Sequence, residues 1–403
     1  MQINKNTKSQ LILVFAFIVI LIVFRGTIPF VSEIGFLFLL LGGIYNNYKN
    51  KVIIFKKDKL FVPVWIYIYI FFLLFTGFYA RNGIEWLVYI VYFITGLLIY
   101  ITVVLYVNTK DKLVLFMKVF IFIVTSIAFL TNFLHILQLT LGVNSPLVHV
   151  GASIRSVGFY GNPNYYSVSL LLGMTFLFGL FYLDYIKKDN NKNFMLFFAT
   201  YFILFVGIYL TFSRGALIAA VLVTLLFIVF NFKQFFNVKS LIVTLIFGVL
   251  ILFLDFGNNS VILQILDQTE VRFENAIYGT GAGRYNIWQD GWELYTSSLQ
   301  NLLLGVGGNQ FMYYYEFNII NNVHNGYLRF LYESGLVGLV LFLIFSIKIF
   351  ISTFNFKFFS PSSLLFYPFI ALLIMALSND IFIIKEFWLV VGLIFAVQND
   401  HYS

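Results

Sequence analysis

The chain has 403 residues, 61% of them hydrophobic and 10% charged, with a mean hydropathy of +0.92 and a formal charge of +8. No water-soluble fold of this size presents such a composition as surface, so soluble classes are excluded. Cys is absent, which removes disulfide frameworks, thiolate metal sites and thiol nucleophiles.

Apolar runs long enough for a hydrocarbon core of roughly 30 Å follow one another along the chain. Stretches such as 11–24 are apolar on every face, which fits helices and not the alternation of a barrel strand. Spans are predicted near 10–27, 31–48, 60–79, 84–107, 113–138 and 165–186, then near 194–212, 215–230, 240–256, 325–350, 362–378 and 384–397. The first follows Lys5 and Lys8 as a secretory signal would, but Arg25 to Pro29 offers no small-residue cleavage site, so an uncleaved span is expected. The expected fold is an all-α polytopic membrane protein of about twelve transmembrane helices. It divides into 1–256 with an outer loop at 139–164, a large extracytoplasmic loop at 257–324 with short helices, and 325–403.

Lys clusters at 49–59, 110–112 and 187–192 lie in alternate loops, which orients those loops and both termini to the cytoplasm. All seven Arg (25, 81, 155, 214, 272, 284 and 329) then fall outside, whereas of eighteen Lys only Lys385 does, and Lys118 lies within a span. Outer Arg opposes the usual bias. A planar guanidinium that grips phosphate bidentately supplies a cause, so the implied ligand is an anion on the outer face.

The first outer loop ends in Arg155, Gly161, Asn162, Pro163 and Asn164, leading into the sixth span. Capping by Asn162 or Asn164 explains the Asn-Pro-Asn, and an Arg before a helix N-terminus also makes an anion site. Arg214, in Ser213-Arg214-Gly215, is held at a hairpin tip near the outer interface, where it either snorkels to headgroups or faces a cavity that binds a lipid-linked phosphate. In the long loop, glycines 279, 281 and 283 precede Arg284 as a phosphate cradle or a hinge. Tyr285, Trp288, Trp292, Tyr295 and Leu299 then form a stripe that reads as interfacial anchoring.

His324 and Asn325 open the tenth span, where a lone His is either structural or, since the helix N-terminus disfavours imidazolium, a neutral base. Arg329 has Glu333 at i+4, so a helix ion pair is its default reading. His135 and His149 carry no supporting pattern. Asp267, Glu270 and Glu274 share a helical face, but Arg272 is their obvious ion partner; no metal site and no cofactor are expected.

In order, Arg155 through Gly-Asn-Pro-Asn, Ser-Arg-Gly, Gly-Arg-x3-Trp, Gly-Val-Gly-Gly-Asn and His-Asn-Gly-Tyr-Leu-x3-Tyr-Glu-Ser-Gly resemble the O-antigen ligase and polymerase family from about 155 to 338. The resemblance implies a metal-independent glycosyltransferase of the GT-C kind in the bacterial plasma membrane, with an extracytoplasmic active site. Its donor is an undecaprenyl-diphosphate-linked glycan and its acceptor a glycan. By position, Arg155, Arg214 and Arg284 resemble a diphosphate clamp, with Arg272 a further candidate and Asn162, Asn164 and Asn325 beside them. His324 resembles the catalytic base. Membrane lipids and other polysaccharide-assembly membrane proteins are the expected partners, and nucleic acid is not. Polymerase, ligase and lipid-linked glycan flippase are the three readings, with polymerase preferred.

Overall fold

The computed structural model describes residues 5–24, 31–49, 64–151, 153–184, 191–231, 284–314, 323–354 and 364–398. The expected ninth span at 240–256, Arg25, Arg272, the glycines at 279–283 and the acids at 267, 270 and 274 lie outside them. Helices occupy the other eleven expected spans: α1 (Lys5–Val23), α2 (Val31–Lys49), α3 (Val64–Thr76), α4 (Gly83–Tyr106), α5 (Lys110–Leu141), α6 (Pro163–Asp184), α7 (Asn191–Leu210), α8 (Arg214–Phe230) and, after two loop helices α9 (Arg284–Thr296) and α10 (Leu299–Leu304), α11 (Gly326–Thr353), α12 (Phe366–Met375) and α13 (Lys385–Gln398). Among the described residues α4, α5, α6 and α11 are long and apolar enough to cross a membrane, and several shorter apolar helices accompany them. This is a polytopic helical membrane protein.

The chain divides into two compact units. One holds Met1–Pro29 and Val114–Ile277, the other Phe30–Leu113 and Tyr278–Ser403. In the first, α6 is apolar all round and is buried nearly throughout, as such a helix must be. Aromatic rings close its surroundings: Phe178 stacks on Phe227 with centroids 4.1 Å apart, and Phe120 meets Phe176 edge-on at 5.0 Å. A two-stranded antiparallel hairpin, β1 (Val148–Val150) and β2 (Ile154–Ser156), follows α5 and pairs His149 with Arg155. Lys118, the Lys inside a span, borders a groove of about 690 Å³ among α5, α6 and α7 that is lined mainly by apolar side chains.

In the second unit α13 packs along α4, which also carries α2. Tyr69, Phe93, Phe330, Phe342, Phe382, Phe387 and Trp388 crowd together where α3, α4, α11 and α13 meet. Lys385, the one lysine expected outside, is buried and paired with Glu33 at 3.3 Å and with Ser32. It therefore acts as an internal bolt between α2 and α13.

Candidate active site

In the first unit, Arg155 sits at the centre of β2 and its Nε donates to the Thr211 carbonyl at 2.9 Å. Thr211 ends α7. Phe212, in the next position, takes a positive φ of 51°, and Ser213 and Arg214 then start α8. A non-glycine residue in the left-handed region is uncommon and reverses the chain within one residue here. The reversal leaves Arg214 exposed on the first turn of α8, where free N–H groups gather. Two of the arginines named from sequence are thus brought to one turn.

The strand carrying Arg155 is fastened from below. His135, fully buried on α5, is hydrogen-bonded through Nδ1 to the Ser156 Oγ at 3.0 Å. Asn162 is the cap of α6, its Oδ1 accepting from the amides of Asn164 at 2.9 Å and Tyr165 at 3.4 Å, with Pro163 as the first helical residue. Of the two asparagines, Asn162 therefore does the capping; Asn164 contributes its carbonyl to Ser167 at 2.7 Å.

In the second unit, His324 precedes the cap of α11. Asn325 accepts from the amides of Tyr327 and Leu328, both at 3.1 Å. His324 itself has φ 52°, and its neighbours on both sides are pinned: the Val323 carbonyl accepts Trp288 Nε1 at 2.9 Å, and the Gly326 amide donates to Ala376 at 2.7 Å. Trp288 thus joins α9 to the histidine segment, and its own carbonyl accepts the Tyr332 hydroxyl at 3.0 Å. The aromatic stripe divides accordingly. Trp288 and Tyr295 pack inward with Leu294, Val306, Phe311, Val323 and Tyr332, whereas Trp292 and Leu299 face outward. Arg284 begins α9, and its side chain lies outside the described residues.

The Gly-Val-Gly-Gly-Asn and Tyr-Glu-Ser-Gly strings meet. Gly335 (φ 63°, ψ −169°) breaks α11 and frees the carbonyls of Tyr332 and Glu333, which accept the amides of Val306 and Gly307, each at 2.9 Å. The approach is too close for a side chain at either glycine: a Cβ on Gly305 would overlap the Glu333 backbone, and one on Gly335 the Leu303 carbonyl.

Below this junction lies a buried charge cluster. Arg329 holds Glu333 and Asp380, each at 3.1 Å, and donates to the Asn309 Oδ1 at 3.0 Å, with the Tyr89 ring 5.6 Å from the guanidinium. Asn309, at φ 57°, passes the network on to Glu85 through Nδ2 at 2.6 Å. The i+4 pair expected from sequence is present, but Asp380, Asn309 and Glu85 make it a five-residue network. Phe212, Asn309 and His324 are the non-glycine residues of positive φ in the described chain. Asn309 and His324 lie inside quoted motifs, and Phe212 lies immediately before Ser213-Arg214.

Residues 199–343 match the family model described as O-antigen ligase. That stretch of the chain is similar to the O-antigen ligase family. The match takes in Arg214, Arg284, the glycine loop, His324, Arg329 and Glu333; Arg155 and Asp380 lie beyond its ends. No curated protein matches the chain. The likeness covers a little over a third of the chain, and within it O-antigen ligases are the proteins this stretch is similar to.

Sequence reasoning gave no individual role to His135, Ser156 and Thr211 in the first unit or to Asn309 and Asp380 in the second. Asp380 carried a signal: an acid set between two apolar runs of a membrane protein needs a partner.

Proposed function

We propose that the protein is a polysaccharide polymerase that transfers an undecaprenyl-diphosphate-linked oligosaccharide onto another lipid-linked glycan at the outer face of the plasma membrane. The supporting observation is His324: a non-glycine residue of positive φ, inside the ligase-family match, fixed on both sides by Trp288–Val323 and Gly326–Ala376. Such strain, held by its surroundings, points to a side chain with a task.

In this reading an acceptor hydroxyl attacks the anomeric carbon of the donor. Its proton passes to the neutral imidazole of His324, and the bond from that carbon to the diphosphate oxygen breaks. The polyprenyl diphosphate leaves with the electron pair. Arg155, Arg214 and Arg284, with Arg272 as a further candidate, stabilise its growing charge without a metal, since preorganised guanidinium donors are strongest where charge develops. Asn325 fixes the helix end beside the base, and Asn162 and Asn164 shape the turn beside Arg155. A GT-C-like bundle of about twelve spans and cytoplasmic termini belong to the same proposal. Transfer to a different acceptor, as in a ligase, uses the same steps; a flippase needs no base.

Glycan length in membranes holding lipid-linked repeat units tests the reading. Wild type should lengthen the chains, and His324→Ala and Arg214→Ala should leave single units at the outer face. Normal extension by His324→Ala would remove the base assignment and favour a flippase.

A further inference from the structure

Arg81 is an outer arginine that none of the motifs absorbs. Its guanidinium lies over the Tyr314 ring, 3.7 Å from the centroid, and donates to the Tyr313 carbonyl at 3.3 Å. Tyr313 closes a short helical turn, Phe311–Tyr313, anchored by buried Phe311 and by the buried amide of Gln310. That amide makes a reciprocal pair with the Asn82 backbone, accepting its N–H at 2.8 Å and donating to its carbonyl at 3.0 Å. Asn82 also caps α4, so Arg81, Glu85 and the tyrosine turn are set by one joint.

Glu85 is half-buried at the head of α4. Asn309 holds one of its oxygens at 2.6 Å, and Asn309 is in turn held by buried Arg329. The Tyr313 phenol is also its partner, and partial burial first, then the Glu85 carboxylate, hold that phenol above its ordinary pKa. Tyr313 remains 39% exposed. A carboxylate, an accessible tyrosine and a guanidinium are therefore fixed side by side, with the ordering cost already met in the fold.

The charges decide what fits. Arg81 and Glu85 cancel, so the patch has no net pull on a diphosphate, and the carboxylate repels one. It does suit a neutral polyhydroxylated ring, whose hydroxyls need both acceptors and donors and whose C–H face can lie on an aromatic ring. The network also leads to the base: Glu85 connects through Asn309 to Arg329, whose amide bonds the Asn325 carbonyl at 2.9 Å one helical turn below His324.

We infer that Arg81, Glu85 and Tyr313 form a subsite for the neutral sugar rings of the acceptor glycan, an inference that rests on the glycosyl-transfer function proposed above. The probe is the water-soluble oligosaccharide released by mild acid from the producing cell's lipid-linked repeat units. It is added to the full chain in lipid nanodiscs and followed by saturation-transfer NMR. Ring C–H protons should receive saturation from wild type, about tenfold less from Tyr313→Ala, and an intermediate amount from Tyr313→Phe, which keeps the ring and loses the hydroxyl, a tenfold loss being usual for one well-placed contact. Glu85→Gln should weaken binding in the same direction. Equal saturation in wild type and Tyr313→Ala, or none in wild type, overturns the subsite. Membranes in which wild type still elongates glycan keep the transfer reading standing in that case. Binding at Tyr313 without any elongation by wild type overturns the transfer reading instead.

Discussion

Arg155 is hydrogen-bonded to the carbonyl of Thr211, fifty-six positions later in the chain, and this bond ties the β hairpin to the turn that presents Arg214. A lysine at 155 would keep the charge and lose the planar donor directed at that carbonyl. On the proposed clamp role, Arg155→Lys should therefore slow glycan elongation by about tenfold or more at unchanged protein level, since small misplacements of a charge-stabilising group are costly. Chain length in membranes normalised for expression measures it.

His135 and Ser156 fasten that strand from within the bundle. Ser156→Ala should destabilise the protein by about 1–3 kcal/mol, the cost of leaving a buried polar atom without its partner. Combining it with His135→Leu should recover part of the loss, because both polar groups are then gone. Thermal melts of the nanodisc-held chain compare the three.

Trp288 and Trp292 sit on one helix with different tasks. Trp288→Phe removes the bond to the Val323 carbonyl and should cost about 0.5–1.5 kcal/mol together with a clear loss of elongation. Trp292→Phe, on the exposed side, should stay within about 0.5 kcal/mol of wild type. Equal effects on elongation would mean that Trp288 does not position His324.

Arg329 faces two buried carboxylates. Arg329→Met should destabilise by about 3–5 kcal/mol, as it abandons buried charge. Adding Asp380→Asn and Glu333→Gln should restore much of that stability, readable as recovery of folded protein in detergent.

The membrane class and the positions of the described helices were legible because a hydrocarbon environment demands long uniform runs, and α2, α4 and α11 begin within a residue or so of where the pattern starts. Contacts across the chain were not. Arg329 with Glu333 at i+4 offered a sufficient local explanation, which hid Asp380. Trp288 shared a helical period with Trp292, so both looked interfacial, and the inward packing of Trp288 with its acceptor at Val323 separates them. Lys385 resembled a stray outer charge until Glu33 was found against it. Periodicity reports which face is apolar; it carries no information about which distant carbonyl a side chain reaches.

The break at Gly335 has a further consequence, in hydrogen exchange. The amides of Val306 and Gly307 belong to a loop by sequence, yet their acceptors are carbonyls of a membrane helix. Their exchange with deuterium should be as slow as that of the helix interior, because the loop cannot open unless the helix does. The glycine loop and the segment that carries His324 would then behave as one cooperative unit, exposed together or not at all.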